Sequence, residues 1–197
     1  MKFSIYLAGK VPKGEEVGSF RDWRKEFMKL TELKRKDFPR ISGIVYLDPN
    51  TFLVSSLKAE DFFGRDVHMV SMCSALVVDA TAKLGAGTAQ EMLIAKYYRK
   101  PVISVVPKNS HYWRKSYYVH NDIIEYRHPF IFSTSDIVVK DFGQAALWLL
   151  RYFSGKIKPK IKGIEMLDDA QKHYLENHLH KDELLKGWKK EMEGQRQ

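Results

Sequence analysis

Ala75-Leu76-Val77-Val78-Asp79-Ala80, then Leu84-Gly85-Ala86-Gly87-Thr88-Ala89-Gln90-Glu91, then Met92 to Arg99, is the stretch on which the fold turns. The apolar run reads as a buried strand, and the residues from about Thr88 to Tyr98 as the helix that follows it. The glycines between them allow a tight turn and a close approach of backbone to a ligand. Glu91 falls in the first or second turn of that helix, above the carboxyl end of a parallel strand, where open α/β sheets bind their ligands. A plainer reason serves the same position, because a helix dipole favours negative charge near the N-terminus.

Outward from this unit the chain alternates strand and helix. Lys2 to Ala8 reads as a first strand, its apolar stretch too short and too broken by Ser4 and Gly9 for a signal peptide. Phe20, Trp23, Phe27 and Leu30 recur at helical spacing behind Ser19, a candidate N-cap. Lys34 to Arg40 reads as a loop, Gly43 to Leu47 as strand two, and Leu57 to Cys73 as a helix. Pro101 to Pro107 is strand four, a short fifth strand lies among Phe130-Ile131-Phe132 and Ile137-Val138-Val139, and Phe142 to Phe153 is a last core helix. Alternation of this kind implies parallel strands with right-handed crossovers. The expected fold is α/β: a flavodoxin-like, doubly wound, five-stranded parallel sheet over residues 1–155. A basic linker and one charged C-terminal helix, Leu167 to Glu193, occupy 156–197. Lys108 to Arg127 reads as a long loop rich in Tyr, His and Arg, a length often reserved for function.

Composition narrows the function. The 197 residues carry a formal charge of +9 with 44% hydrophobic residues, enough for a core. The lone cysteine, Cys73, excludes a disulfide framework and suits a reducing, cytoplasmic setting. The histidines show no metal-ligand spacing, so neither metal nor cofactor is expected. No run is long enough to span a membrane. Basic residues are not interleaved with aromatics as a nucleic-acid surface requires, so the charge points to phosphorylated small molecules or to solvated surface.

The glycine turn lacks the Gly-Lys-Ser/Thr of a phosphate-binding P-loop, and Gln90 stands where a dinucleotide fingerprint needs its third glycine. Gly85 to Thr88 still offer backbone N–H groups and a helix N-terminus to an anionic or hydroxyl-rich ligand. Further pieces follow in order: Ile5-Tyr6-Leu7-Ala8-Gly9, Asp22-Trp23-Arg24, Phe63-Gly64-Arg65-Asp66, Ser74 to Ala80, Gly87-Thr88-Ala89-Gln90-Glu91 and Lys100-Pro101-Val102-Ile103. Together, over about residues 3 to 107, they resemble the nucleoside 2-deoxyribosyltransferase family and its nucleotide N-hydrolase relatives. That resemblance implies a flavodoxin-like fold, cleavage of the bond between base and deoxyribose, and a homodimer or larger homo-oligomer with shared sites. It implies Glu91 as the nucleophilic carboxylate that captures C1′, Tyr6 as the tyrosine that orients it, and Asp66 as a carboxylate near sugar and base. Gly9 matches the glycine that leaves room for the ligand. Transferases of the family often carry an aspartate six residues before the nucleophile, where this chain has Gly85. The Gly-Thr-x-x-Glu pattern is also similar to that of the cytokinin-activating phosphoribohydrolases, without their longer glycine run and arginine motif.

Each candidate has a structural alternative. Tyr6 and Trp23 fit a core, Asp66 beside Arg65 fits a surface, and Asp79 at the end of strand three could cap the turn as well as face a substrate. Gly87, Thr88, Lys83 and Arg114 are the remaining candidate substrate contacts, the cations for a 5′-phosphate. Two functions follow: a carboxylate-dependent N-glycosidic cleavage, or a non-catalytic nucleotide-binding module that keeps the fold and lacks the acid at position 85.

Overall fold

The structure is a computed structural model that describes residues 1–11, 22–51, 58–119 and 122–194. The chain divides into two compact units, Met1–Gly163 and Ile164–Gln197. In the first, strands β1 (Lys2–Ala8), β2 (Gly43–Leu47), β3 (Ala75–Asp79) and β4 (Val102–Val105) alternate with helices α1 (Trp23–Arg35), α2 (Ala59–Met72) and α3 (Ala86–Tyr97). There follow a hairpin of β5 (Trp113–Val119) and β6 (Asp122–Arg127), the short helix α4 (Pro129–Thr134), strand β7 (Ile137–Val139) and helix α5 (Phe142–Phe153). Five strands form a parallel sheet in the order β2-β1-β3-β4-β7. This is the flavodoxin-like arrangement: the chain winds outward from β1 in one direction and from β3 in the other.

Strand alternation sorts the core into two layers. Ile5 and Leu7 of β1, with Ala75 and Val77 of β3, join α1 and α5 through Phe27, Ala145, Leu149 and Leu150. Tyr6, Ala8, Leu76 and Val78 face the opposite side, with Val70 of α2, Met92 and Ala95 of α3 and Ile131 of α4. β3 and β4 are buried on both faces and are mostly apolar; Asp79 ends β3, and Ser104 within β4 is hydrogen-bonded to the Ser135 hydroxyl at 2.7 Å.

Several expectations change. The long loop expected over Lys108 to Arg127 contains the antiparallel β5–β6 hairpin, with a register shift between Arg114 and Tyr117. Its outward apolar residues, such as Ile123 and Tyr118, are exposed, so no buried-face alternation announces it. Phe130-Ile131-Phe132 is helical behind Pro129, which suits a first helical position; only Ile137–Val139 is strand. Helix α1 runs on to Arg35, and its expected start at Ser19 and Phe20 lies outside the described residues. So does Leu57, expected at the start of α2.

In the second unit the expected single helix is two, α6 (Met166–Asn177) and α7 (Glu183–Gly194), separated by a 3-10 turn at Leu179–Lys181. Asp182 causes the break. Its carboxylate accepts the Leu185 N–H at 3.0 Å, as an N-cap does, and also the Tyr174 hydroxyl.

Candidate active site

The crevice lies where the winding reverses, outside the carboxyl ends of β1 and β3. Gly9 leaves β1 under a tight constraint: a Cβ there would come within 3.0 Å of the Trp23 ring and 3.2 Å of the Asp79 Cβ. A larger residue here would push the Trp23 ring or the Asp79 side chain aside by a few tenths of an ångström. Helix α3 begins just beyond β3, with its N-terminus at the same edge. Its N-cap, Gly85, is extended (φ −79°, ψ 164°), and Gly87 is inside the first turn. Neither position needs glycine for its dihedrals, and a Cβ on either would meet nothing within 4 Å. The expected tight glycine turn is therefore an ordinary helix start whose small residues leave open space beside it.

A cleft of about 490 Å³ opens there, lined by Gly9, Lys10, Val11, Pro49, Asp66, Gly85, Ala86, Gly87, Thr88 and Glu91. Glu91 is the sixth residue of α3, one turn beyond the buried Thr88. Strand alternation points Tyr6 to the α3 side of β1, and its hydroxyl donates to Glu91 Oε1 at 2.8 Å. Glu91 Oε2 is buried with no hydrogen-bond partner among the described residues. Burial is the main force on this carboxyl and pushes it up to about 7; the charge of Asp66 adds to the rise, while the Tyr6 hydrogen bond and Arg24 oppose it. The Tyr6 phenol is raised far above its ordinary range by burial first and by the Glu91 charge next, so it stays a donor. Asp66, on α2, is half-buried; burial raises its carboxyl too, against the pull of Arg65, whose guanidinium lies 3.6 Å away.

Glu91, Tyr6 and Asp66 thus form one interacting group, and Gly9, Gly87 and Thr88 border the same cleft. Asp79 is engaged in its own turn: Oδ1 accepts the Thr81 N–H at 3.0 Å and the Thr81 hydroxyl at 2.7 Å. Lys83 is exposed on the segment between β3 and α3. Arg114 lies on the hairpin and lines a different, open depression with His111 and Lys115. Neither cation borders the Glu91 cleft, whose wall carries Lys10 instead.

Arg24 has a larger part than its sequence context suggests. It is fully buried, and its guanidinium donates to the carbonyls of Leu7, Gly9 and Lys10 at 3.1 to 3.3 Å. It also pairs with Asp48 at 3.2 Å. One side chain holds the backbone of Leu7, Gly9 and Lys10, where the chain leaves β1 and borders the cleft. Its only signal in the sequence is its place in Asp22-Trp23-Arg24, within a helix rich in lysine and arginine.

Among the described residues no group of three or more His, Cys, Asp or Glu is arranged to hold a metal ion, and no helix is long and apolar enough to cross a membrane. No protein-family model matches the chain, and no curated protein matches it significantly. Its fold is similar to that of a 2-desoxiribosyltransferase from Leishmania mexicana, at 16% identity and a TM-score of 0.49, covering 76% of this chain and 98% of the other. A CMP N-glycosidase from Clostridium botulinum is similar at 12% identity and a TM-score of 0.40, over 76% and 98% of the two chains. A Sir2 homologue in complex with ADP-ribose follows at 11% identity and 0.37, over 81% and 94%. At such identities and overlaps these likenesses carry no argument about chemistry.

Proposed function

We propose that the protein cleaves the N-glycosidic bond of a (2-deoxy)nucleoside or nucleoside 5′-monophosphate through Glu91, passing the sugar to another base or to water. The observation that carries the reading is the Tyr6–Glu91 pair: one carboxylate oxygen held by a buried phenol, the other buried at the cleft without a partner. A carboxylate in that setting is oriented for attack and poorly solvated, as a covalent nucleophile should be. The base leaves with the electron pair of the C1′–N bond, Oε2 bonds to C1′, and the glycosyl ester then passes its sugar to the acceptor, as in a retaining glycosidase. Asp66 is the proposed carboxylate beside the sugar and base, and the departing base takes its proton from solvent, since Gly85 supplies no acid. A sugar without a 2′-hydroxyl suits this route, because positive charge at C1′ is then easier to develop. The cell compartment we propose is the cytoplasm, and the assembly a homo-oligomer.

Chromatography of the free base, after incubation with a panel of nucleosides and their monophosphates, tests the reading directly. Glu91→Gln and Glu91→Ala are expected to lower base release by roughly 10³-fold or more with the fold retained. Turnover within tenfold of wild type in either variant removes Glu91 from the mechanism. Absence of base release from every substrate by the wild-type protein leaves the non-catalytic nucleotide-binding module.

A further inference from the structure

On the other side of the Gly85–Ala86 segment lies a second cavity of about 330 Å³. Ala89, Met92 and Leu93 of α3 form one wall; Tyr112, His128 and Phe130 contribute to the opposite one. Gly85 and Ala86 border both this cavity and the Glu91 cleft, so the divide between them carries nothing larger than a methyl group. The walls are mostly apolar, and Tyr112, His128 and Thr134 are the lining residues with polar side chains. His128 Nδ1 is buried without a hydrogen-bond partner among the described residues. The Tyr112 hydroxyl accepts the Leu84 N–H at 2.6 Å, and among the described residues nothing accepts its own proton. The aromatic rings form a frame: Tyr112 meets His128 edge-on at 5.2 Å, and His128 meets Phe130 at 6.2 Å.

We infer that this cavity is a binding pocket for a planar purine-type base, with His128 Nδ1 as its polar anchor. This deepens the function proposed above and rests on it for the identity of the ligand. An orphaned buried nitrogen is costly until something pairs with it. A heteroaromatic ring brings both apolar faces for the walls and an edge group for the imidazole, the combination that small-molecule sites commonly use. A phosphate would find no cation among the lining residues, and a sugar would leave most of its hydroxyls against carbon. Gly85 and Ala86, which line both, make the base pocket a neighbour of the cleft that holds the carboxylate proposed to receive the sugar.

Calorimetric titration of adenine into full-length Glu91→Gln protein tests this without consuming substrate. Saturable binding is expected. Ala89→Leu, added to that protein, fills the cavity from an exposed helical position and should weaken adenine at least tenfold. His128→Ala should weaken it at least fivefold. Adenine affinity unchanged by both substitutions, or no binding at all, overturns the pocket even if the wild type releases base. The converse result, adenine bound and lost on these substitutions in a protein that cleaves nothing, upholds the pocket and removes the catalytic reading. A dimer that Phe130→Asp dissociates, without adenine uptake, assigns the cavity to a second copy of the chain and overturns the proposal.

Discussion

Two charges decide how Glu91 behaves: its own, which burial resists, and the proton that the Tyr6 hydroxyl shares with it. With its carboxyl near 7, the ionised form needed for attack accumulates as pH rises through neutrality. The proposed activity should therefore show an ascending limb near pH 7 in kcat/KM. Tyr6→Phe removes the hydrogen bond that favours the charged form, so the limb should move to higher pH and the plateau should fall. A limb that stays in place in Tyr6→Phe would separate Tyr6 from the titration. Stability follows the opposite sign. The folded protein retains on Glu91 a proton that the unfolded chain loses from about pH 4.5, so ionisation destabilises the fold increasingly between 4.5 and 7. Glu91→Gln should be more stable than wild type above pH 7, by up to about 3 kcal/mol, and alike near pH 4, read by denaturant unfolding at both values. The carboxylate was legible in the sequence by its position at the start of a helix, the tyrosine only through the family resemblance. Arg24 was not, because a buried arginine reads as one more surface cation until the carbonyls it holds are seen.

Elements were legible where burial dictates pattern. β3 and β4, covered on both faces, are apolar apart from Asp79 and Ser104, and α5 carries Ala145, Ala146, Leu149 and Leu150 on one face. The hairpin escaped notice because a ladder of Tyr, Ile, Arg and Lys exposed on both sides has no buried face to alternate. β7 has only three residues, too few to show a period. An ion pair ties this end of the sheet together. The Lys96 ammonium of α3 meets Asp136, both fully buried, and Asp136 also accepts the N–H of Val102 at 2.7 Å and of Lys162 at 2.8 Å. Asp136→Asn leaves the Lys96 charge in the interior without its counterion and should cost about 3 kcal/mol or more in urea unfolding. Asp136→Leu combined with Lys96→Met should cost less than the sum of the two single changes, since no charge is then stranded. An additive double variant would mean that the pair is not coupled.

For the whole molecule, the boundary of the first unit is informative. A chain ending at residue 155 would keep every strand of the sheet but lose Lys162, whose ammonium donates to the carbonyls of Ser133 and Ser135 at 2.8 and 2.7 Å and whose N–H caps Asp136. The expected result is that a fragment ending at Gly163 melts near the full-length protein, whereas one ending at Gly155 melts several degrees lower. Equal melting of the two fragments would show that the strap adds nothing to stability.

The sheet order carries one more consequence, in the order of synthesis. β1 emerges from the ribosome before the other four strands of its sheet, yet its place is inside the sheet, between β2 and β3. Its tyrosine waits 85 residues for the glutamate that it holds. Until β3 has emerged, one edge of β1 is bare, and until α3 follows, Tyr6 has no acceptor, so the nascent chain must tolerate a half-paired apolar strand. No amino-terminal fragment that stops short of α3 can own the Tyr6–Glu91 pair, and the site comes into being in a single late event rather than by gradual refinement.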